Sequence, residues 1–477
     1  MSSPESVLVH SREPARPASW VASIRAALRG EHHDYTEGPV GTALLLLAVP
    51  MVLETLMESL FAICDVFFVS RLGADAVATV GLTESMLTIL YALAIGLSIG
   101  ATATVARRIG EKDPDGAAKA AVQSIALGIA VSVAVGVAGA IGAPALLRAM
   151  GATPSIVETG STYTRVMLGG NVTVVLLFLV NAAFRGAGDA VIAMRVLWLA
   201  NGLNILLGPC LVFGLGPFPE LGVTGAAVAT NLGRGTGVIV QLWTLTSAGR
   251  RLRVARRHVR LDLEVMRGIW RLSSTGVFQI LISTSSWVFV VRILSAFGSA
   301  VVAGNTIGVR LIMFAMLPAW GLANAAATMV GQALGAGKPD RAARAAWLAS
   351  GYNMAFLGGI SVLFYALAPP IVGIFTSAPD VSVHAIECLR TVGLGFALFA
   401  VGMTLSSALN GAGDTWTPTW INLGCFWCLE IPLAFALARP LGWEAEGVYV
   451  AITAAFTLHA LVCTAVFRRG GWAARRV

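Results

Sequence analysis

Three carboxylates stand in the first long apolar stretch of the chain: Glu54, Glu58 and Asp65. Steps of four and seven residues keep them on one face of a helix. An ionisable group inside such a stretch is costly and faces a cavity or a partner. The chemistry open to these three is therefore the uptake and release of a proton, against the plainer role of a helix–helix hydrogen bond. Glu84 follows near the start of the second stretch, and Asn181, Asn201 and Asn204 add amides in the fourth and fifth. Together they make a candidate carboxylate–amide cluster. The second half has its own outliers, Arg292, Arg310 and Glu430. The arginines can snorkel or pair. Glu430 lies in Trp427-Cys428-Leu429-Glu430-Ile431-Pro432, where the proline loosens the helix. It can contact a cationic solute or pair with an arginine. Met313 and Met316, with Phe314, Trp320 and Phe278, either line an adaptable apolar cavity or simply pack. The candidate wall of a solute cavity is thus Glu430, Glu84, Gln279, Trp287, Met313 and Met316.

The elements that must hold these groups are membrane helices. Of the 477 residues only 12% are charged and 56% are hydrophobic, and the mean hydropathy is +0.78. Apolar stretches of bilayer length recur throughout. Valine, alanine and leucine mix without strict alternation, which favours helices over a barrel. Twelve spans are expected, near 42–70, 79–105, 117–146, 159–184, 192–214, 223–247, 272–296, 302–330, 342–373, 386–409, 416–438 and 446–467.

Glycine and proline punctuate the chain twice in one order. Gly96, Gly110, Pro114 and Pro154 return 225 residues later as Gly321, Gly335, Pro339 and Pro379. Gly186-Ala187-Gly188-Asp189 returns as Gly411-Ala412-Gly413-Asp414. The chain is two copies of one six-helix half, and an even count per half gives both copies the same orientation. Parallel repeats are related by an axis along the membrane normal, with the solute path between them. The acids break the symmetry: Glu54, Glu58, Asp65 and Glu84 map to Gln279, Ser283, Val290 and Val309. An architectural role would have appeared in both copies, so the acids point to function in the first.

Charge sets the topology. Arginines 250, 251, 253, 256, 257, 260, 267 and 271 crowd the central linker, and further basic residues sit at Arg107, Arg108, Lys112, Lys338, Arg341 and Arg344. The alternate loops 214–222 and 376–383 carry none. Basic loops stay in the cytosol, which puts both termini there and the protein in the plasma membrane, without a role in binding nucleic acid. The expected organisation is a mobile cytosolic leader 1–38, a first lobe 39–247, a basic linker 248–270, a second lobe 271–468 and a basic tail 469–477. The stretch Leu261-Asp262-Leu263-Glu264 reads as the start of a short surface helix. Six cysteines lie in or beside apolar spans and read as packing residues, and the six histidines lack metal-ligand spacing. Neither an enzyme nor a resident cofactor is indicated.

With these motifs in place, the chain resembles the multidrug and toxic compound extrusion family. Cys64-Asp65-Val66-Phe67-Phe68-Val69-Ser70-Arg71-Leu72-Gly73 is similar to the family's first-helix signature. The run from Ala326 to Pro339 resembles its second-lobe signature, and Arg185-Gly186-Ala187-Gly188-Asp189 and Asn410-Gly411-Ala412-Gly413-Asp414 its paired loops. The resemblance implies an all-α protein of twelve transmembrane helices in two pseudo-symmetric lobes around a central cavity. It implies a monomeric antiporter that exports an organic compound, often cationic or amphipathic, in exchange for a proton or a sodium ion. In the DinF-like branch the ion site lies in the first lobe, where Asp65, Asn181 and Asn204 correspond to its ligands. That branch's fifth-helix aspartate is replaced by Gly208, which removes an oxygen donor, favours the proton, and leaves Glu54 or Glu58 to compensate. The glutamate of the NorM-like branch is replaced by Ser283. The alternative is a lipid-linked precursor flippase of the same superfamily.

Overall fold

A computed structural model describes residues 20–30, 33–247 and 251–475. Every regular element among them is helical. A short helix, α1 (Trp20–Arg29), precedes the first lobe, which comprises α2 (Val40–Ser70), α3 (Ala74–Gly110), α4 (Pro114–Ala149), α5 (Pro154–Gly169), α6 (Asn171–Ala187), α7 (Ala190–Phe213) and α8 (Val223–Thr246). The second lobe repeats the order with α9 (Leu263–Leu294), α10 (Ser299–Gly335), α11 (Pro339–Gly373), α12 (Pro379–Leu394) and α13 (Phe396–Gly411). It ends with α14 (Trp416–Asn422), a π-helical segment (Leu423–Glu430), α15 (Ile431–Ala438) and α16 (Glu444–Arg468). By length and composition ten of these spans can cross a bilayer, or eleven with the bent pair α12–α13 counted as one. Helix α8, which carries Arg234 at its centre, completes the twelve.

The fourth span of each lobe is broken at repeat-related glycines. Helices α5 and α6 part at Gly170, and α12 and α13 part at Gly395 with a bend of 56°. A Cβ on Gly170 would collide with the Asn231 side chain. The same carbonyl is served in both copies by a side chain from the lobe's last span. Asn231 Nδ2 donates to Val166 O (3.1 Å), and Thr453 Oγ1 donates to Thr391 O (2.8 Å). At the first break Val166 O is shared with Gly170 N (2.9 Å), whereas at the second Gly395 N turns to Val392 O (3.1 Å) and Thr453 serves Thr391 O. The π segment of the eleventh span precedes Pro432, whose missing N–H removes a ladder bond.

The lobes meet at the face that carries the basic loops. There Gly110 and Gly335 bring the ends of α3 and α10 together, so close that a Cβ on Gly110 would strike the Gln332 carbonyl and one on Gly335 the Arg107 carbonyl. Gly321 packs on the Met51–Val52 backbone of α2, and Gly96 and Gly100 pack on Val277 and Ser273 of α9. All these contacts lie in the basic-side half of the spans, so the lobes diverge toward the opposite face. Overpacking such a contact costs about 1–3 kcal/mol. Gly110→Leu is therefore expected to separate the lobes at the basic face. Spin labels at positions 119 and 344 would report a longer distance, and an unchanged distribution would disprove the closure.

Residues 1–19, 31 and 32 of the expected mobile leader lie outside the described residues; the rest of it packs on the lobes. Between α1 and α2 a strap, Asp34–Gly38, crosses the basic face. Arg341 donates from Nε to Tyr35 O (2.9 Å), from Nη2 to Glu37 O (2.7 Å) and from Nη1 to Gly38 O (2.7 Å). Lys338 Nζ donates to Thr36 O (3.0 Å). On the first-lobe side Tyr35 donates its hydroxyl to Gly188 O (3.2 Å), and the Arg251 guanidinium lies 5.3 Å from the Tyr35 ring centre. The guanidinium fork finds three carbonyls in one turn of chain, which fixes the strap. The stretch Leu261–Glu264 within the linker differs from the sequence reading too. Asp262 Oδ1 accepts from Glu264 N (3.1 Å) and Val265 N (3.2 Å), capping α9 itself rather than a separate surface helix. Cys388, Cys425 and Cys463 are buried in the core of the second lobe.

Candidate functional site

Helix α2 carries its three acids into the first lobe, and each meets a different environment. Glu54 is 5% exposed. Its Oε1 accepts from Arg185 Nη1 (2.6 Å) and from Asn181 Nδ2 (3.0 Å), both on α6. Asn181 Oδ1 in turn accepts from Gln241 Nε2 on α8 (2.6 Å). One turn further along, Glu58 Oε2 accepts from Asn201 Nδ2 on α7 (2.9 Å) and Oε1 from Arg234 Nη2 on α8 (3.2 Å). Arg234 is buried, donates from Nη1 to the Tyr91 hydroxyl (3.1 Å), and lies 5.4 Å from the Phe61 ring centre. A buried charge needs a partner and filled hydrogen bonds, and both arginines have them. The network ties α2 to α3, α6, α7 and α8.

Asp65 stands apart from this network. It is half-buried, and among the described residues its carboxylate makes no hydrogen bond or direct ion pair. It lies within electrostatic reach of Glu84 on α3 and Arg234 on α8, and Tyr163 on α5 feels both acids. Two arginines thus compensate Glu54 and Glu58, while among the described residues Asp65 and Glu84 have no directly paired cation in the lobe. The expected ligand set does not converge. Asn181 serves Glu54 instead of Asp65, and Asn204 Nδ2 donates to Thr230 Oγ1 (2.8 Å). At Gly208 a Cβ would lie 3.6 Å from the Phe68 ring, so an aromatic edge fills the space beside Asn204.

The second lobe holds a neutral copy of the same network. Glu54 and Asn181 correspond to Gln279 and Ser406, and there Gln279 Nε2 donates to Ser406 Oγ (3.4 Å). Glu58 and Arg234 correspond to Ser283 and His459. These are joined through Asn422, which donates to Ser283 Oγ (3.1 Å) and whose Oδ1 lies 3.2 Å from His459 Nε2. Positions in the fold are repeated; charge is not.

The cavity candidates divide. Glu84 is exposed and Met313 is 37% exposed. Trp287 packs partly against the second-lobe core. Three others belong inside that lobe and not on a cavity wall. Met316 is a core residue, Gln279 bonds to Ser406, and Glu430 is 3% exposed on the π segment beside Ser286. The widened turn rotates Glu430 into the lobe. Sequence reading missed Arg234, Tyr91 and Gln241, and treated Arg185 only as part of a loop motif. A lone arginine in the middle of an apolar span was the available signal for Arg234.

Two six-helix lobes of parallel orientation, closed at one face and carrying an asymmetric buried charge network, define a membrane transporter rather than an enzyme. The MatE family profile matches residues 50–210 and 276–436, one match in each lobe, and the chain belongs to this family of multidrug-efflux transporters, which need no cofactor. It is 26% identical over 438 residues to the "Probable multidrug resistance protein NorM" of Thermotoga maritima, covering 91% of this chain and 93% of the relative. To the "FAD transporter" of Shewanella oneidensis it is 25% identical over 411 residues, covering 85% and 89%. A solved structure of the outward-facing conformation of a multidrug resistance MATE family transporter superposes with a TM-score of 0.87. That structure is 27% identical and covers 93% of this chain and 98% of its own.

Proposed function

We propose that this transporter expels small amphipathic organic compounds from the cytosol in exchange for protons, with Asp65 as the exchanging group. The observation that carries the reading is the Asp65 carboxylate, without a hydrogen bond or ion pair among the described residues and within electrostatic reach of Glu84, in the lobe whose acids the repeat does not copy. The groups facing it are Glu84 from α3, Tyr163 from α5 and Arg234 from α8. A proton on Asp65 removes its repulsion from Glu84 and its attraction to Arg234, which leaves Arg234 to Glu58 and Tyr91. Helix α2 transmits the change. It carries Pro50, where a ladder bond is missing, next to Met51, which packs on Gly321 of the second lobe. Proton and solute that favour opposite packings of the lobes are then exchanged. Sodium needs several oxygen ligands, and Gly208 supplies none.

The basic face is the cytosolic one on this reading, with both termini inside the cell and the protein acting as a monomer in the plasma membrane. The lobes divide near 39–247 and 271–468, with the linker 248–270 between them. The cleft then opens outward, as in the solved outward-facing relative. The test is transport by protein reconstituted in liposomes, with pH and sodium gradients imposed separately. Solute-driven proton movement that persists without sodium is expected. Solute movement that needs sodium and ignores pH would refute the proton, and conductance without coupling would refute antiport altogether.

A further inference from the structure

Beyond the first-lobe network, one more charged pair bears on the cleft. Arg310 is exposed on α10, eleven residues from its start, and among the described residues it makes no hydrogen bond or direct ion pair. Steps of eleven and twenty-five residues place it on the face of α10 that also carries Gly321 and Gly335. Those glycines pack against the Met51–Val52 backbone and the Arg107 carbonyl of the first lobe. Arg310 therefore points at the first lobe, farther out along the same stripe, where the lobes have diverged. Glu84, on the opposite lobe, lies within electrostatic reach of Arg310. The repeat explains the opposition. Glu84 corresponds to Val309, one residue from Arg310, so the two side chains stand at near-equivalent places across the axis between the lobes. Around Arg310 the exposed surface of α10 is apolar, with Met313, Phe314 and Trp320.

A cleft with a carboxylate on one wall, a guanidinium on the other and an aromatic floor is built for a solute with both signs of charge. We propose that Arg310 is a specificity-determining residue of the cleft, and that the transported class is amphipathic zwitterions, whose carboxylate or phosphate group meets Arg310 while their cationic group meets the Glu84 wall. A planar guanidinium takes a carboxylate or phosphate through two parallel hydrogen bonds, which a plain organic cation cannot accept. This assignment rests on the export reading above but concerns which solutes bind, and it can fail separately.

The experiment uses the full-length protein in liposomes and a matched pair of dyes: a rhodamine with a free carboxylate, which is zwitterionic, and its methyl ester, which is a cation. Binding and efflux are measured for the native protein, Arg310→Ala and Arg310→Lys. We expect Arg310→Ala to weaken binding and slow efflux of the zwitterion about tenfold, the loss of one charge-assisted contact, while the ester changes less than about twofold. Arg310→Lys keeps the charge but not the fork, and is expected to recover only part of the zwitterion's affinity. Equal losses for both dyes, no loss for either, or a native protein that carries only the ester would each overturn the assignment. Discrimination between the dyes that depends on Arg310, in a native protein that moves no protons, would uphold it and sink the antiport reading instead.

Discussion

Asp65→Asn is expected to bind solute and yet lose the ability to concentrate it. The amide keeps the size and polarity of the side chain but cannot exchange a proton. A gradient of one pH unit supplies about 1.4 kcal/mol per proton, enough for roughly tenfold accumulation of solute. With that gradient imposed across liposomes, the native protein should approach tenfold and the variant should stay near onefold. Solute affinity should change little, because Asp65 belongs to the first lobe's interior and not to the guanidinium side of the cleft. Glu84→Gln separates two explanations for a defect. If Asp65 alone exchanges the proton, Glu84→Gln weakens solute binding at the cleft wall and shifts the pH dependence of transport, yet keeps accumulation once solute is saturating, since the exchanging group remains. Asp65→Asn that still accumulates solute at native expression would end the proposed role.

Arg234→Ala should be the most destabilising single change in the first lobe. Its guanidinium is buried and serves Glu58, Tyr91 and the field at Asp65 together. Removing one partner of a buried ion pair leaves an uncompensated charge and costs about 3–5 kcal/mol. The expected readout is a large drop in the melting temperature of the purified protein in detergent. The double variant Glu58→Gln, Arg234→Met tests the cause. It removes both charges and refills the volume, so it should recover much of the lost stability, as replacement of a whole buried pair often does. A double variant no more stable than Arg234→Ala would show that packing, not charge, was lost. Transport by the double variant should remain impaired, because Arg234 also contributes to the field at Asp65.

Much of the architecture could be read from residue order. The repeated glycines and prolines identify the duplication because each serves a place where two backbones nearly touch or a helix begins, and Gly110 and Gly335 do the former in the structure. Acids in apolar surroundings announce themselves for a similar reason: Glu54 and Glu58 could not be buried without partners. What the sequence hid was who the partners are. Asn181 and Asn204 looked like ligands of Asp65, yet each is taken by a nearer group, Glu54 and Thr230. Arg234 stood alone in an apolar span, but nothing in residue order named Glu58 and Tyr91 as its partners. Glu430 misled in the other direction. A helix of regular pitch gives no hint of a widened turn, and that turn decides whether the carboxyl faces a cleft or the lobe interior. Breaks at Gly170 and Gly395 were equally invisible, since they depend on Asn231 and Thr453 arriving from another span.

The strap over the basic face has a consequence for how the cycle could be governed. Arg341 and Lys338 grip it from one lobe and Gly188 from the other, so it bridges the seam that must part before the interior can be reached from that side. It touches neither the acids of α2 nor the cleft. A ligand or modification that peeled this belt away would ease one half of the alternation and leave the choice of cargo and of driving ion as they were. Throughput and selectivity are in that sense separately adjustable in this molecule.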